Sequence, residues 1–136
     1  MSYPISGIAG IDTDAAAKLR RLRIRTTDGL LHAAKNPKGR KNLAEKTGLN
    51  EKNILCWANM ADRMRIKGVG GEYAELLQAA GVDTVKELKY RNPSKLAKAM
   101  AEANAKRKLV QVLPSDQAIT RWIEYAKKLP LVISYR

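Results

Sequence analysis

The stretch Arg65–Leu88, RIKGVGGEYAELLQAAGVDTVKEL, places three glycines within four positions, directly behind Lys67 and directly ahead of an apolar run at helical spacing. A tight glycine turn there serves a definite purpose. The first amides of a helix have no intrahelical partner and carry the positive end of the helix dipole. Glycines let the chain turn sharply and let an anion approach without meeting a Cβ atom. In the pattern Ile66-x-Gly68-Val69-Gly70, Val69 should point inward and anchor the turn, while the amides of Gly70, Gly71 and Glu72 face outward. Lys67 adds a point charge, which suits a phosphate better than a base edge.

Working outward, the rest of the chain reads as helix. Thr13–Leu22 carries Ala15, Leu19 and Leu22 on one face, and a short helix follows Thr26. Asn36-Pro37 and Asn92-Pro93 are cap-then-proline signals, Asn50 and Ser115 are further caps, and Gly48 and Gly81 are terminators. Thr84 and Glu87 have capping-box spacing. Ile54, Trp57, Ala58 and Ala61 share a face, with Cys56 read as a small buried hydrophobe in the same run. Only the tail LVISYR hints at a strand, and it is too isolated to found a sheet. The expected class is all-α.

The two halves can be laid on each other. Gly10, Ile11, Ala16, Leu19, Ile24, Thr26 and Leu30 match Gly68, Val69, Ala74, Leu77, Val82, Thr84 and Leu88, every pair 58 positions apart. Trp57-x3-Ala61 corresponds to Trp122-x3-Ala126 in the closing helices. This ordered set reads as one duplicated helical unit.

These residues carry a resemblance. The stretch IKGVGGEYAELLQAAGVDTVKEL resembles the hairpin and second helix of the helix-hairpin-helix family, followed by that family's Gly-apolar-x-Thr link. Over nearly its whole length the chain is similar to a family of small, uncharacterised bacterial proteins with tandem helix-hairpin-helix units. The resemblance implies two tandem repeats, residues 1–64 and 65–136, packed as one compact SAM-like helical bundle. It also implies sequence-independent binding to double-stranded DNA, with hairpin amides on phosphates, commonly across the minor groove. A monovalent cation at the Gly68–Gly70 hairpin sometimes assists in that family. Carried over residue by residue, Lys67, Gly68, Val69, Gly70 and Gly71 match, with Arg65 adding charge just ahead. In the first repeat only Gly10 and Ile11 match. Asp12 stands where the second glycine belongs and is better explained as a cap for its own helix, which leaves a structural role for that hairpin.

Charge agrees with a polyanionic partner. The 136 residues hold 26 Lys+Arg against 13 Asp+Glu, a net charge of +13 with a pI near 10.1. Both halves are positive, so the excess is not a basic tail. In the run KLRRLRIR, Arg20, Arg21, Arg23 and Arg25 cannot all be buried and are expected to form a charged edge beside the first hairpin; a solvated helix face is the alternative. Lys106-Arg107-Lys108 reads the same way. Trp57, Trp122 and Tyr73 are read as core, and Tyr90 as an exposed contact.

Other classes find little footing. His32 is the one histidine, no Cys or acidic cluster has metal-ligand spacing, and Asp83 sits in a turn-forming link, so no catalytic residue, metal or cofactor is expected. No run of 18 or more apolar residues exists and MSYPISG does not resemble a signal sequence, so a cytoplasmic, nucleoid-associated protein without a membrane or small-molecule partner is expected. A single cysteine fits a reducing compartment. Two competing readings remain: a protein–protein interaction module that keeps the fold without DNA binding, with ILCWANM and LVISYR as candidate surfaces, and an RNA-associated protein.

Overall fold

The computed structural model describes residues 2–135. Among them the chain forms a single 3-10 turn, Ile5–Gly7, and eight helices: α1 (Thr13–Arg21), α2 (Thr27–Ala33), α3 (Pro37–Thr47), α4 (Glu51–Arg63), α5 (Gly71–Ala79), α6 (Val85–Leu88), α7 (Pro93–Arg107) and α8 (Asp116–Lys128). No strand forms among the described residues; a lone bridge joins Pro4 to Thr26. The protein is all-α.

Local chemistry sets most helix starts. Asp12 accepts from the Ala15 amide at 2.8 Å, Thr26 from Gly29 at 3.1 Å, Asn36 from Gly39 at 2.7 Å, Asn92 from Lys95 at 3.0 Å and Ser115 from Ala118 at 3.0 Å. Each bond satisfies one otherwise orphaned donor. Gly48 ends α3 in the left-handed conformation with φ 73°. The capping box read at Thr84 does not form. Thr84 is buried and makes no cap bond; the Val85 amide donates instead to Asp62 Oδ2 at 2.8 Å, and Glu87 accepts from Asp83.

One apolar core runs through both halves, from Ile5 and Leu19 through Ile54 and Ile66 to Leu77, Leu96 and Ile119. α4 lies against α2 and α3, and α8 lies against α6 and α7. Ile54, Trp57, Ala58 and Ala61 are buried together, as their spacing predicts, and so are Ile119, Trp122, Ile123 and Ala126. Cys56 is exposed, contrary to its reading as a core residue. Two positions past Ile54 it is turned about 200° around the helix axis, away from the Trp57 face. Leu22 also leaves the core, because the chain turns at Arg23 with φ 64°. Gly81, the residue in register with Arg23, makes the same turn with φ 98°.

The end of α4 joins the halves. Arg63, 1% exposed, donates from Nε to the Ala74 carbonyl at 2.8 Å and from Nη1 to the Asp83 carbonyl at 2.7 Å. Arg65 donates from both Nη atoms to the Pro130 carbonyl and lies 3.4 Å from Asp62 Oδ1. Burial pushes the Asp62 carboxyl up from its ordinary value, against the pull of the Val85 amide and the two guanidiniums. Burial also draws Arg63 down from its ordinary value.

After α8 the tail docks back across the first half. The Ser134 amide donates to the Lys35 carbonyl at 2.7 Å, buried Arg40 donates to the Ser134 carbonyl at 2.9 Å, and Tyr135 Oη donates to Asn59 at 3.0 Å. Its main chain is therefore tied down.

Removing the Arg63 guanidinium takes a donor from the Ala74 and Asp83 carbonyls and leaves Asp62 with one fewer cation. Arg63→Leu should cost about 3–5 kcal/mol of unfolding free energy in urea titration. A loss under about 1 kcal/mol would show that the junction is dispensable.

Candidate nucleic-acid interface

The second glycine turn is built from the end of α4 to the start of α5. Ile66 and Val69 are fully buried and pin it, with the Val69 amide donating to the Ile66 carbonyl at 3.0 Å. Gly68 takes φ +92°, and a Cβ there would come within 3.3 Å of Trp122 Nε1. Both facts call for glycine. Lys67 and Gly68 are exposed, while Gly70 and Gly71 are half-buried.

The first turn has the same construction. The Ile11 amide donates to the Ile8 carbonyl at 3.2 Å, Gly10 takes φ +90°, and its Cβ position lies 3.2 Å from Trp57 Nε1. Each turn thus rests on the indole of a later helix. The difference is at the helix start. Asp12 caps α1, with φ −82° and ψ 177°; Gly70 occupies the same position before α5 with φ −91° and ψ −169° and has no side chain to cap with. The amides of Gly70, Gly71, Glu72 and Tyr73 consequently find no acceptor within the described residues. They stand at the positive end of the α5 dipole, and Lys67 precedes Gly70 by three residues.

Glu72 is the acid of that first turn and is exposed. The side-chain donors gathered here, Lys67 and the Trp122 indole, suit an anion, and the Ile66 carbonyl is already engaged by Val69. No group of three or more His, Cys, Asp or Glu side chains able to hold a metal occurs among the described residues.

The structure spreads the other sequence-predicted residues more widely. Arg20, Arg21, Arg23 and Arg25 are all exposed and make no ion pair among the described residues. They cluster at the C-terminal end of α1, about 13 Å of helix away from Gly10, rather than beside the first turn. Arg25 is tied toward the second turn through the backbone: its carbonyl accepts from Ile5, and the Gly7 carbonyl packs on Gly71, where a Cβ would come within 2.7 Å. Arg65 is 8% exposed and committed to Pro130 and Asp62, so it is removed from the candidate surface. Ile11 and Val69 act as anchors rather than contacts. The Trp122 indole N–H at Gly68 was hidden by the reading of Trp122 as core; that reading is right about the ring and silent about the nitrogen.

The chain belongs to the DUF4332 family, a domain of unknown function, which matches residues 9–129. That span begins just before Gly10 and ends with α8, so it holds both glycine turns and both indoles, and it stops short of the docked tail. No curated protein matches this DUF4332 chain. No solved structure matches it either. Among the described residues no helix is long and apolar enough to cross a membrane.

Glycine substitutions separate the two constraints. Gly71→Ala drives a Cβ into the Gly7 carbonyl and should destabilise, whereas open space faces Gly70. Gly70→Asp, copying Asp12, should raise unfolding free energy by a few tenths of a kcal/mol, about 0.3, through the new cap. Thermal or urea unfolding of the two variants checks both signs.

Proposed function

We propose that this protein binds duplex DNA without sequence preference, holding a backbone phosphate on the free amides of Gly70, Gly71, Glu72 and Tyr73 with Lys67 alongside. The single observation carrying this reading is the uncapped start of α5 behind a turn that the Trp122 indole holds in shape. In this reading residues 1–64 and 65–136 are tandem helix-hairpin-helix units, joined at the end of α4. The net charge of +13 supplies the long-range attraction, and Arg20, Arg21, Arg23 and Arg25 give secondary phosphate contacts. The first turn is a structural copy, because the Asp12 carboxylate repels phosphate and already occupies an α1 amide. The protein has no catalytic step of its own and acts in the cytoplasm as a nucleoid-associated or repair-associated binder.

The test is fluorescence anisotropy of a labelled duplex of about 20 base pairs across a salt series. Neutralising about six phosphates gives a slope of roughly −5 for log affinity against log salt. Gly70→Asp should weaken binding by at least about tenfold while remaining folded, since charge-assisted hydrogen bonds are lost and a carboxylate is added. Glu72→Gln should strengthen it modestly. Equal binding by wild type and Gly70→Asp would reduce the interaction to bulk charge. No binding near 100 mM salt, where the Debye length is about 10 Å, would favour the protein-partner module instead.

A further inference from the structure

Beside the second turn lies a cavity of about 690 Å³, within the size range of small-molecule sites. Tyr73, Trp122 and Tyr125 line it with aromatic surface, and Lys67 and Arg121 line it with positive charge. No carboxylate lines it. Tyr73 and Trp122 meet with ring centroids 5.4 Å apart, tilted by 51°. Tyr73 Oη donates to the Val112 carbonyl at 3.0 Å, which holds the segment before α8 as the opposite wall.

The indole of Trp122 makes this more than a gap between helices. Trp122 is only 5% exposed, yet its N–H finds no acceptor among the described residues, and the nitrogen is not fully enclosed. It stands 3.3 Å from the Cβ position of Gly68, where turn and cavity meet. A nearly buried donor left open toward a cavity calls for an acceptor from outside. That donor lies beside Lys67 and near the free α5 amides, so the acceptor it suits is anionic. The aromatic lining next to it suits a flat, π-rich group joined to that anion.

We propose that the cavity receives one unpaired nucleotide of a DNA strand, its base against Tyr73, Trp122 and Tyr125 and its phosphate between Lys67, the Trp122 N–H and the start of α5. Arg121, which also lines the cavity, then adds a second positive charge to the same nucleotide's surroundings. A base inside a duplex is stacked and cannot enter, so the cavity favours single-stranded overhangs and gaps over paired ends and continuous duplex. The inference rests on the duplex-binding reading above and adds the ligand that the same site prefers. The first turn is the internal contrast: Trp57 Nε1 stands 3.2 Å from the Cβ position of Gly10 in the same way, but Asp12 places a carboxylate at the helix start.

The experiment compares a blunt duplex with the same duplex carrying a three-nucleotide single-stranded overhang, by anisotropy at fixed salt. Wild type should bind the overhang DNA about 5- to 100-fold tighter, the range set by base–aromatic stacking. Trp122→Phe keeps a ring and deletes the N–H; Arg121→Ala changes an exposed side chain and keeps the core intact. Each should bring the affinity ratio of the two DNAs toward one, and Arg121→Ala carries the test if Trp122→Phe does not fold. Equal wild-type affinity for the two DNAs overturns the inference, and so does a preference that survives both substitutions. Gly70→Asp distinguishes the two levels. If it weakens blunt-duplex binding while the overhang preference is absent, the duplex reading stands and the nucleotide site falls. If it leaves blunt-duplex binding unchanged, the duplex reading itself fails.

Discussion

The side chains at the end of α4 form the junction on which the rest of the molecule depends. Asp62, Arg63 and Arg65 sit almost without solvent where one half of the chain gives way to the other. Arg63 ties α4 to the carbonyls of α5 and of the link before α6, Asp62 takes the first amide of α6, and Arg65 holds the chain as it leaves α8. Burying three charges is expensive unless each finds partners, and here backbone groups supply most of them. Because those groups belong to elements far apart in sequence, the two halves share one core and one frame. The second glycine turn springs from this junction directly, so its geometry is set by the best-anchored part of the fold.

Within that frame the two glycine turns differ by one side chain. Both place a positive-φ glycine against an indole nitrogen, and both lead into a helix of nine residues. Asp12 closes its helix with its own carboxylate, which favours stability and removes an anion site. Gly70 leaves the same amides open, which gives up the stability of a cap and leaves donors that suit an anion. In the proposed reading, this one position separates a structural turn from a phosphate-binding one.

Much of this was legible in the sequence, because caps, prolines and glycines act over three or four residues. Asn36-Pro37, Asn92-Pro93, Ser115 and Gly48 all mark the helix boundaries they announce. The 58-residue offset between Gly10 and Gly68 marks the two turns. What escaped was decided by residues distant in sequence. Thr84 and Glu87 have the spacing of a capping box, but Glu87 accepts from Asp83 instead of Thr84, and the first amide of α6 goes to Asp62, 23 positions before Val85. Arg65 reads as a surface cation beside a binding loop, and only the arrival of Pro130 reveals that it is buried. The tail LVISYR reads as isolated, since nothing local says that Lys35, Arg40 and Asn59 receive it. Cys56 is a simpler miss: it reads as a small buried hydrophobe within an apolar run, and helical rotation turns it outward.

The most direct test of the central claim is a nitrogen–proton NMR titration of the labelled protein with a blunt duplex. The account predicts that the largest shifts fall on the backbone amides of Gly70, Gly71, Glu72 and Tyr73 and on the Trp122 indole N–H, with the matching groups around Asp12 and Trp57 nearly unmoved. Shifts confined to Arg20–Arg25, or spread evenly over the basic surface with the α5 amides silent, would contradict it.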